Sequence, residues 1–373
     1  MLRTIYRYSL DMSVAKKVVF VGMSGGVDSS VSAYLLKQQG YTVVGVFIKV
    51  WHPDFLECHW EQERLDAMRV AAHLEIPFLT CDAEDAYKKD VADYFIAEYK
   101  AGRTPNPDVM CNTFVKFGRF YEFARERGAD YIATGHYARV VKDEDRSVLL
   151  RGIDTEKDQS YFLWNIAEEA LSHTLFPIGH LTKKEVRVIA EKAGLPTATK
   201  DESQGVCFLG HIDIPEFLSH FIELHEGEVR TEEGVVIGSH RGSELLTIGQ
   251  RHGFTVDSAR TSNNSETAPY YVIEKDVATN TITVSHKKPE IHKEGSRLIL
   301  SSARCDEGVI DTPIHVQTRY RQIPIPARIE RISNSLVEIS LSGIAEYPAV
   351  GQFCVIYAGD RVCGGGIIED IRV

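Results

Sequence analysis

The hydrophobic pattern of the first half of the chain alternates short apolar runs with longer stretches that have helical spacing. Four of the apolar runs have the length and composition of buried strands, namely VVFVGM (18–23), TVVGVFIKVW (42–51), PFLTC (77–81) and YIATGH (131–136). Residues 63–76 have the periodicity of a helix in which Leu65, Met68 and Ala72 share one apolar face. Strands that alternate with helices predict a parallel sheet that binds ligands at the carboxyl ends of its strands.

Capping residues mark the ends of two helices. Gly40 stands just past the first predicted helix, where a left-handed C-cap is expected. Thr182 and Glu185 have the spacing of a capping box, and Gly194 stands where the helix that they open would end. These signals predict a helix over residues 182–194.

Beyond about residue 270 the pattern changes to short strand-like runs separated by turn residues. These runs include TITVSH (281–286), RLILSS (297–302), IHVQTRYR (314–321), ARIERI (327–332), LVEISL (336–341), QFCVIY (352–357) and GGIIEDI (365–371). Such runs predict a small antiparallel barrel. The preceding stretch is rich in glycine, glutamate and histidine and contains the polar run TSNNSET (261–267).

The predicted architecture is therefore that of an α/β protein with three domains. Residues 1–206 form a catalytic domain with a Rossmann-like parallel sheet, residues 207–270 a small central linker domain, and residues 271–373 a C-terminal antiparallel β-barrel.

Composition and charge exclude some functional classes. The formal net charge of -11 argues against a generally basic nucleic-acid binder, so any nucleic acid would have to meet a local basic patch. No apolar run is long enough to span a bilayer, and residues 1–17 have a basic bias without a signal-peptide core. We expect a cytoplasmic protein without a membrane partner, whose translation starts at Met1 or Met12. Seven cysteines in a chain of 373 residues do not suggest a disulfide scaffold.

A glycine loop follows the first predicted strand and opens the first predicted helix. In SGGVDSS (24–30), glycines allow phosphate to approach the backbone, and the helix start supplies unpaired N–H groups and a positive dipole end. The common phosphate loop also carries a lysine, which is absent here, so transfer of a γ-phosphoryl group is disfavoured. The pattern S-G-G-x-D-S resembles the loop of ATP pyrophosphatases, which cleave between the α- and β-phosphates and adenylate their substrate. The alternative is a plain glycine turn in which Asp28 or Ser29 caps a Rossmann-like helix.

Two cysteines are candidates for chemistry. Cys111 follows two prolines that order its loop, and we expect a helix to start near Asn112 or Thr113. A cysteine at a helix N-terminus, with Lys116 one turn later, would have a lowered thiol pKa. Cys207 follows a polar segment and is predicted to lie on a mobile loop. The remaining cysteines are predicted to be buried structural residues: Cys58, Cys81, Cys305, Cys354 and Cys363.

Several motifs together carry a resemblance that extends over nearly the whole chain. They are GMSGGVDSSV, GVFIKVW, PNPDVMCNTFVKF, ATGHYAR, KDQSYFL, GVCFLG, LTIGQRHG, RYR and GQFCVIY. In this order and at this spacing the chain resembles the tRNA-specific 2-thiouridylases, a family known as MnmA in bacteria.

The resemblance implies an enzyme that replaces the C2 oxygen of the wobble uridine, position 34 of tRNA, with sulfur. ATP, with Mg²⁺, would adenylate that oxygen and release pyrophosphate. Sulfur would arrive as a persulfide on Cys207, donated by a sulfur-carrier protein or a cysteine desulfurase. Cys111 would attack the persulfide, freeing sulfide or forming a Cys111–Cys207 disulfide, and Asp108 would assist proton transfer.

The resemblance also implies two sets of binding residues. Those implied for ATP are Gly22, Met23, Ser24, Gly25, Gly26, Val27, Asp28, Ser29, Ile48 and Gly135. Ile48 stands where the family often has methionine, and either side chain could pack on adenine. Those implied for the tRNA anticodon stem-loop are Asn106, Pro107, Asp108, His136, Lys157, Asp158, Gln159, Arg319, Tyr320 and Gln352. The run Arg319–Arg321 combines basic and aromatic side chains, which suits phosphate pairing and stacking on a flipped base.

Other interpretations of the glycine loop and the cysteines predict different classes of protein. An amidotransferase-coupled synthetase would share the glycine loop but would not need the two cysteines or the barrel. An RNA thiolase that depends on an iron–sulfur cluster could use Asp108, Cys111 and Cys207 as ligands, although the chain contains no C-x-x-C. A purely structural RNA-binding module would leave the glycine loop unexplained.

Overall fold

The computed structural model describes most of the chain, including every helix and strand discussed below. It describes residues 16–372 except 57–59, 145, 202–212, 258–267, 292–294, 311, 334–335 and 344. Cys58 and Cys207 lie outside the described residues. None of the helices in the described ranges combines the length and the apolar character that crossing a membrane requires.

A five-stranded parallel sheet forms the centre of the N-terminal half. The strands of this half are β1 (Val18–Gly22), β2 (Thr42–Lys49), β3 (Phe78–Asp82), β4 (Tyr131–Ala133), β5 (Ala138–Asp143), β6 (Arg146–Arg151) and β7 (Thr174–Leu175). Five of them form the sheet in the order β3-β2-β1-β4-β7, and every neighbouring pair is parallel. Their carboxyl ends therefore meet at one edge, where ligands of such sheets bind.

Helices cover both faces of this sheet. They are α1 (Val27–Gln38), α2 (Trp60–His73), α3 (Glu84–Tyr87), α4 (Asp93–Lys100), α5 (Pro107–Met110), α6 (Phe120–Glu126), α7 (Glu168–Ser172) and α8 (Lys183–Lys192). Wider π-helical turns at Lys88–Ala92 and Cys111–Arg119 join α3 to α4 and α5 to α6, and Ser160–Phe162 is a 3-10 turn. One apolar layer includes Phe20, Ile48 and Phe120, and the other includes Val19, Val31 and Phe47. Because successive residues of β1 enter opposite layers, its continuous apolar run is explained by burial on both faces.

The apolar face that the sequence predicted for α2 is exposed to solvent. Leu65 and Met68 are 44% and 38% exposed, and Ala72 is also exposed. The buried side carries Ala67 and Val70, both fully buried, together with the neighbouring alanine and Leu74. Small side chains let the helix approach the sheet closely, so the face with less apolar bulk is the one that packs.

The predicted caps are confirmed. Gly40 follows α1 with φ of +89°, in the left-handed region that favours glycine. Thr182 and Glu185 form the reciprocal capping box of α8, and Gly194 follows that helix with φ of +63°.

A second sheet follows in the middle of the chain. This part contains α9 (Ile214–Ser219), β8 (Gly227–Arg230), β9 (Val236–His240), a 3-10 turn at Ser243–Leu245, β10 (Phe254–Val256), β11 (Tyr271–Asp276) and β12 (Thr281–Ser285). The strands pair in the order β10-β9-β8-β12-β11. The last two strands, which the sequence pattern grouped with the barrel, thus pair with the central sheet. The predicted domain boundaries themselves stay predictions, and this pairing favours a second boundary after residue 285.

The C-terminal strands close into a barrel. They are β13 (Glu290–Ile291), β14 (Arg297–Cys305), β15 (Ile314–Gln317), β16 (Ile325–Ser333), β17 (Leu336–Leu341), β18 (Ala345–Glu346), β19 (Phe353–Ala358) and β20 (Arg361–Arg372), with a 3-10 turn at Glu307–Val309. Six antiparallel strands run in the order β14-β17-β16-β15-β19-β20, and β20 pairs back with β14. The hairpin β5–β6 of the N-terminal half extends the same sheet beside β20. The predicted fold class, with a parallel-sheet domain, a small central part and a C-terminal antiparallel barrel, is confirmed.

Candidate active site

The glycine loop connects β1 to α1 at the carboxyl edge of the parallel sheet. Gly25 has φ of +72°, and a Cβ there would lie 2.5 Å from the carbonyl oxygen of Glu63. The hydroxyls of Ser29 and Ser30 donate to the carbonyl oxygen of Gly26, at 3.1 and 2.7 Å. These contacts fix a compact turn at the positive end of the helix dipole, which is the geometry of a phosphate-binding loop.

Gly135 permits a second close approach at this edge. It follows β4, and a Cβ at this position would lie 2.6 Å from the backbone nitrogen of Ser29. Any larger residue would therefore push the loop after β4 away from the start of α1. This contact explains why residue 135 is a glycine, and its role at a nucleotide site stays a prediction.

A cavity of about 380 Å³ opens beside these loops. It is lined by Gly22, Met23, Ser24, Gly26, Val27, Asp28, Ser29, Ile48, Lys116, Thr134, Gly135, His136, Tyr137, Lys157, Gln159, Lys183, Asp201, Tyr320 and Arg321. The residues predicted for ATP line it, with the exception of Gly25, which shapes the loop behind it. Four of the residues predicted for tRNA line the same cavity: His136, Lys157, Gln159 and Tyr320. The fold thus brings these four residues next to those predicted for ATP. The other six residues predicted for tRNA, which include Asp108, do not line the cavity, and neither does Cys111. The individual roles stay predictions.

Lys183 is a site residue that sequence reasoning missed. Its Nζ lies 2.8 Å from Oδ1 and 2.7 Å from Oδ2 of Asp28, and the hydroxyl of Tyr137 donates to the same Oδ1 at 2.8 Å. Thr182 caps α8, so Lys183 occupies the first position of that helix, which packs against α1. The glycine loop therefore does have a lysine beside it, supplied by a distant part of the chain. The capping box located the helix start, but no local signal shows which helices are neighbours.

His136 is buried, and each of its ring nitrogens makes a hydrogen bond. Its Nε2 lies 3.4 Å from Nζ of Lys116, and its Nδ1 lies 2.7 Å from the hydroxyl of Thr134. Burial, aided by the charge of Lys116, holds the pKa of His136 well below its ordinary value, so the ring is neutral at pH 7. An ammonium group only donates, so Nε2 accepts from Lys116, and the ring proton is on Nδ1.

The helix that carries Cys111 begins earlier than the sequence predicted. Oδ1 of Asn106 accepts hydrogen bonds from the backbone nitrogens of Asp108 and Val109, at 3.2 and 3.4 Å, and Pro107 occupies the first helical position. The predicted start near Asn112 or Thr113 is therefore wrong, because an asparagine cap followed by proline is itself a helix start. Cys111 lies one turn inside, fully buried, away from the free N–H groups of the helix terminus. The predicted lowering of its thiol pKa by a helix terminus loses its basis.

The loop before the 3-10 turn at Ser160–Phe162 is held by Asp158. Its carboxylate is buried, accepts from the backbone nitrogens of Gly152 and Ser160, and pairs with Arg151 at 3.0 Å. A side-chain contact between Asp158 and RNA would have to displace one of these donors. Oε1 of Gln159 accepts from the backbone nitrogen of Tyr137 at 3.0 Å, which ties this loop to the one after β4.

The residues predicted on the barrel lie at two places, of which one is on the cavity wall. The ring of Tyr320, on the cavity wall, lies 4.5 Å from that of Phe162, and the guanidinium of Arg321 lies 5.2 Å from the ring of Tyr320. Arg319 is half-buried beside them. Gln352 donates from Nε2 to the carbonyl oxygens of residues 104 and 105, both at 3.0 Å, and so fixes the loop ahead of α5.

Three family models match consecutive parts of the chain. They are the "tRNA methyl transferase HUP domain" at residues 17–211, the "tRNA methyl transferase PRC-barrel domain" at 215–286 and the "Aminomethyltransferase beta-barrel domain" at 306–368.

Full-length relatives carry a different name from the family models. The "tRNA-specific 2-thiouridylase MnmA" of Shewanella amazonensis is 43% identical over 363 residues, which cover 96% of this chain and 96% of that protein. The protein of the same name from Lysinibacillus sphaericus is 42% identical over 361 residues, with coverage of 95% and 94%. A solved structure of NMN synthetase from Francisella tularensis matches 52% of this chain and 70% of that chain at 20% identity, with a TM-score of 0.33, and carries no argument.

Proposed function

The chain belongs to the family of the tRNA-specific 2-thiouridylase MnmA, and from this membership we propose that it is an ATP-dependent tRNA-uridine 2-sulfurtransferase. The proposed substrate is the wobble uridine of a tRNA, whose C2 oxygen is exchanged for sulfur. The observation that carries the proposal is the cavity in which the glycine loop and Gly135 share one wall with His136, Gln159 and Tyr320. One cavity can then hold the phosphates of ATP and a flipped base next to each other.

The first proposed step is adenylation of the C2 oxygen. A carbonyl oxygen of uracil leaves too poorly to be displaced by sulfur, whereas AMP is a good leaving group. The oxygen would attack the α-phosphate, pyrophosphate would leave, and the proton on N3 of the base would pass to Asp108. The glycine loop and the start of α1 would hold the β- and γ-phosphates, and Ile48 would pack on adenine.

Lys183 and Asp28 supply the charge that this step requires. The ammonium group of Lys183, held by Asp28, is placed on the cavity wall beside the loop. A lysine in this position would stabilise negative charge on the phosphates as the α–β bond breaks. It takes the part that the lysine of a common phosphate loop plays.

We propose that Mg²⁺ binds together with ATP. Mg²⁺ in proteins is usually bound by one or two carboxylates together with substrate phosphates. Both carboxylate oxygens of Asp28 already accept hydrogen bonds from Lys183, whereas Asp201 places an exposed carboxylate on the same cavity wall. Asp201 is therefore the residue that would hold the ion, which would neutralise part of the phosphate charge when bound.

The second proposed step transfers sulfur. A sulfur-carrier protein or a cysteine desulfurase would load Cys207 as a persulfide. The thiolate of Cys111 would attack Sγ of Cys207, so that a Cys111–Cys207 disulfide forms and hydrosulfide leaves. Hydrosulfide would then attack C2 and expel AMP with the former carbonyl oxygen, and a thiol reductant would restore both cysteines.

The direct test is thiolation in a purified system. The protein, a cysteine desulfurase with cysteine, ATP and tRNA lacking the modification are combined, and the nucleosides are analysed by mass spectrometry. We expect 2-thiouridine and AMP only when ATP, tRNA and the sulfur donor are all present, whereas release of pyrophosphate should require only ATP and tRNA. Absence of 2-thiouridine under all donor conditions would contradict the proposal, and iron and sulfide bound to anaerobically purified protein would favour the cluster-dependent mechanism.

Replacing Arg319 with alanine should weaken tRNA binding and reduce the slope of its salt dependence by about one, because one phosphate contact is lost. The guanidinium of Arg319 lies 3.5 Å from Glu346 and 3.4 and 3.3 Å from the carbonyl oxygens of Ile248 and Tyr347. Affinity is measured by filter binding over a series of salt concentrations. The matched control is Arg297→Ala, which removes an exposed barrel arginine paired with Glu338. An unchanged slope with normal affinity would mean that Arg319 does not contact RNA.

A further inference from the structure

The loop between α4 and α5, residues 101–106, contacts both the barrel and the central sheet. It leads directly into α5, which carries Asp108 and is followed by Cys111. Neither of these residues lines the nucleotide cavity. Their reach toward the cavity therefore depends on how this α4–α5 loop places the helix.

The barrel contacts the α4–α5 loop through backbone groups. The backbone nitrogen of Thr104 donates to the carbonyl oxygen of Val350 at 2.9 Å. Nε2 of Gln352 donates to the carbonyl oxygens of Thr104 and Pro105, both at 3.0 Å. Between these barrel residues Gly351 has φ of +92°, and a Cβ there would lie 2.9 Å from the backbone nitrogen of Thr104. A glycine is therefore what lets the barrel backbone approach the loop so closely.

The side-chain amide of Gln352 is engaged with the loop. An amide nitrogen has two hydrogens, and the two carbonyl oxygens accept both of them. The backbone of Gln352 is also fixed, because its N–H donates to Ala349 at 3.1 Å and its carbonyl oxygen accepts from Ile368 of β20 at 2.8 Å. The tRNA contact that the family resemblance implies for Gln352 would therefore have to use the acceptor Oε1 alone.

The central part of the chain contacts the same loop. The hydroxyl of Thr104 makes a hydrogen bond of 2.9 Å with the hydroxyl of Thr247, which lies between the 3-10 turn at Ser243–Leu245 and β10. Gly102 has φ of +69°, and a Cβ there would overlap the side chain of Val277, in the turn between β11 and β12. Thr104 thus contacts the barrel with its backbone and the central part with its hydroxyl.

The position of α5 depends on these contacts. Asn106 ends the loop and caps α5 by accepting from the backbone nitrogens of Asp108 and Val109. Val109 is fully buried in one apolar cluster with Phe353 and Tyr357 of β19. The helix has only four residues, so a shift of the loop before it is passed directly to Asp108.

We propose that Gln352 and Thr247 are positioning residues, which hold the α4–α5 loop so that Asp108 and Cys111 can reach the substrate at the nucleotide cavity. This inference rests on the proposed function. Gln352 acts on the reaction through the loop and not through contact with RNA. Loss of either side chain therefore slows the reaction and leaves the binding of tRNA unchanged.

The test separates turnover from binding. Gln352→Met keeps the length of the side chain and removes its donors, and Thr247→Val keeps the shape and removes the hydroxyl. For Gln352→Met we expect the kcat of tRNA-dependent pyrophosphate release to fall by about tenfold or more, because misplacing a reacting group by about 1 Å can cost about 10²-fold. For Thr247→Val we expect a fall of about threefold, since one hydrogen bond is lost. The Kd for tRNA and the slope of its salt dependence should stay as in the natural protein, because no phosphate contact is removed.

The matched control is Thr255→Val, which removes a hydroxyl that donates to the carbonyl oxygen of Ser239 within the central sheet. Its kcat should equal that of the natural protein. A normal kcat for Gln352→Met together with a raised Kd or a reduced salt slope would show that Gln352 contacts RNA directly, and would overturn the proposal. Values of kcat equal to that of the control for both positioning variants would overturn it as well.

Hydrogen exchange supplies a measurement that does not depend on activity. The backbone amides of residues 103–111 should exchange about tenfold faster in Gln352→Met, which loses two hydrogen bonds of ordinary strength, whereas those of α1 should be unchanged. If the natural protein releases no pyrophosphate with tRNA, the proposed function fails. Unchanged exchange over residues 103–111 in both variants would instead show that Gln352 and Thr247 do not hold the loop.

Discussion

Replacing Lys183 with methionine should reduce the turnover of ATP to AMP and pyrophosphate by about 10²-fold or more, the usual cost of removing one group that stabilises developing charge. Methionine keeps the length of the side chain and removes only the ammonium group, which lies 2.7 Å from Asp28. Asp28→Ala should likewise abolish pyrophosphate release while the fold stays intact, because Lys183 then loses the carboxylate that holds it. Release of pyrophosphate in the presence of tRNA is measured for each variant.

The two side chains should act as a unit. Groups that work together have non-additive effects, so the double variant should be no slower than the slower of the two single variants. The matched control is Lys184→Met, which removes the next, exposed lysine of the same helix. Turnover close to normal in the Lys183 variant, with unchanged thermal unfolding, would remove Lys183 from the nucleotide site.

Replacing Cys111 with serine should abolish formation of 2-thiouridine while the release of pyrophosphate continues. Serine fits the space of the thiol but is a poor nucleophile toward sulfur, so the reaction would stop after adenylation. Radioactive sulfur supplied as ³⁵S-cysteine through a desulfurase should still appear on Cys207 and fail to reach tRNA. The complementary variant, Cys207→Ser, should carry no label and form no product, yet still form adenylated RNA.

A second buried cysteine offers a matched control for Cys111. Cys81 is also fully buried in the same apolar layer, and burial raises its thiol pKa to about 11. Cys81→Ser should therefore lower the unfolding temperature to a similar extent without loss of thiolation. Sulfur transfer by the Cys111 variant, or loss of transfer in the Cys81 variant at equal stability, would show that Cys111 is a packing residue.

Sequence reasoning succeeded where a signal is local. β1 and β2 are recognisable because burial on both faces makes them continuous apolar runs. The positive φ values of Gly40 and Gly194 follow from their places at helix ends. The glycine loop is recognisable because its residues stand between one strand and the next helix, and the hydrogen bonds from Ser29 and Ser30 to Gly26 join residues that are close in the chain.

The errors and omissions have tertiary causes. Apolar bulk suggested a buried face for α2, but close packing selected the side with Ala67 and Val70. Lys183 reaches Asp28 only because α8 lies against α1, a contact that spans 155 positions in the chain. The late start predicted for the helix of Cys111 was avoidable, since Asn106 and Pro107 are themselves a local signal.

The hairpin β5–β6 has a consequence for how the chain is made. Its outer edge, at Leu150, is completed by Arg361, which leaves the ribosome more than half a chain length later. Until then β6 presents unpaired backbone groups, and an exposed strand edge is a site for association with other chains. The N-terminal half therefore keeps an unpaired strand edge on β6 until β20 has been synthesised. Truncations that remove β20 should yield an aggregating protein rather than a separate, soluble catalytic domain.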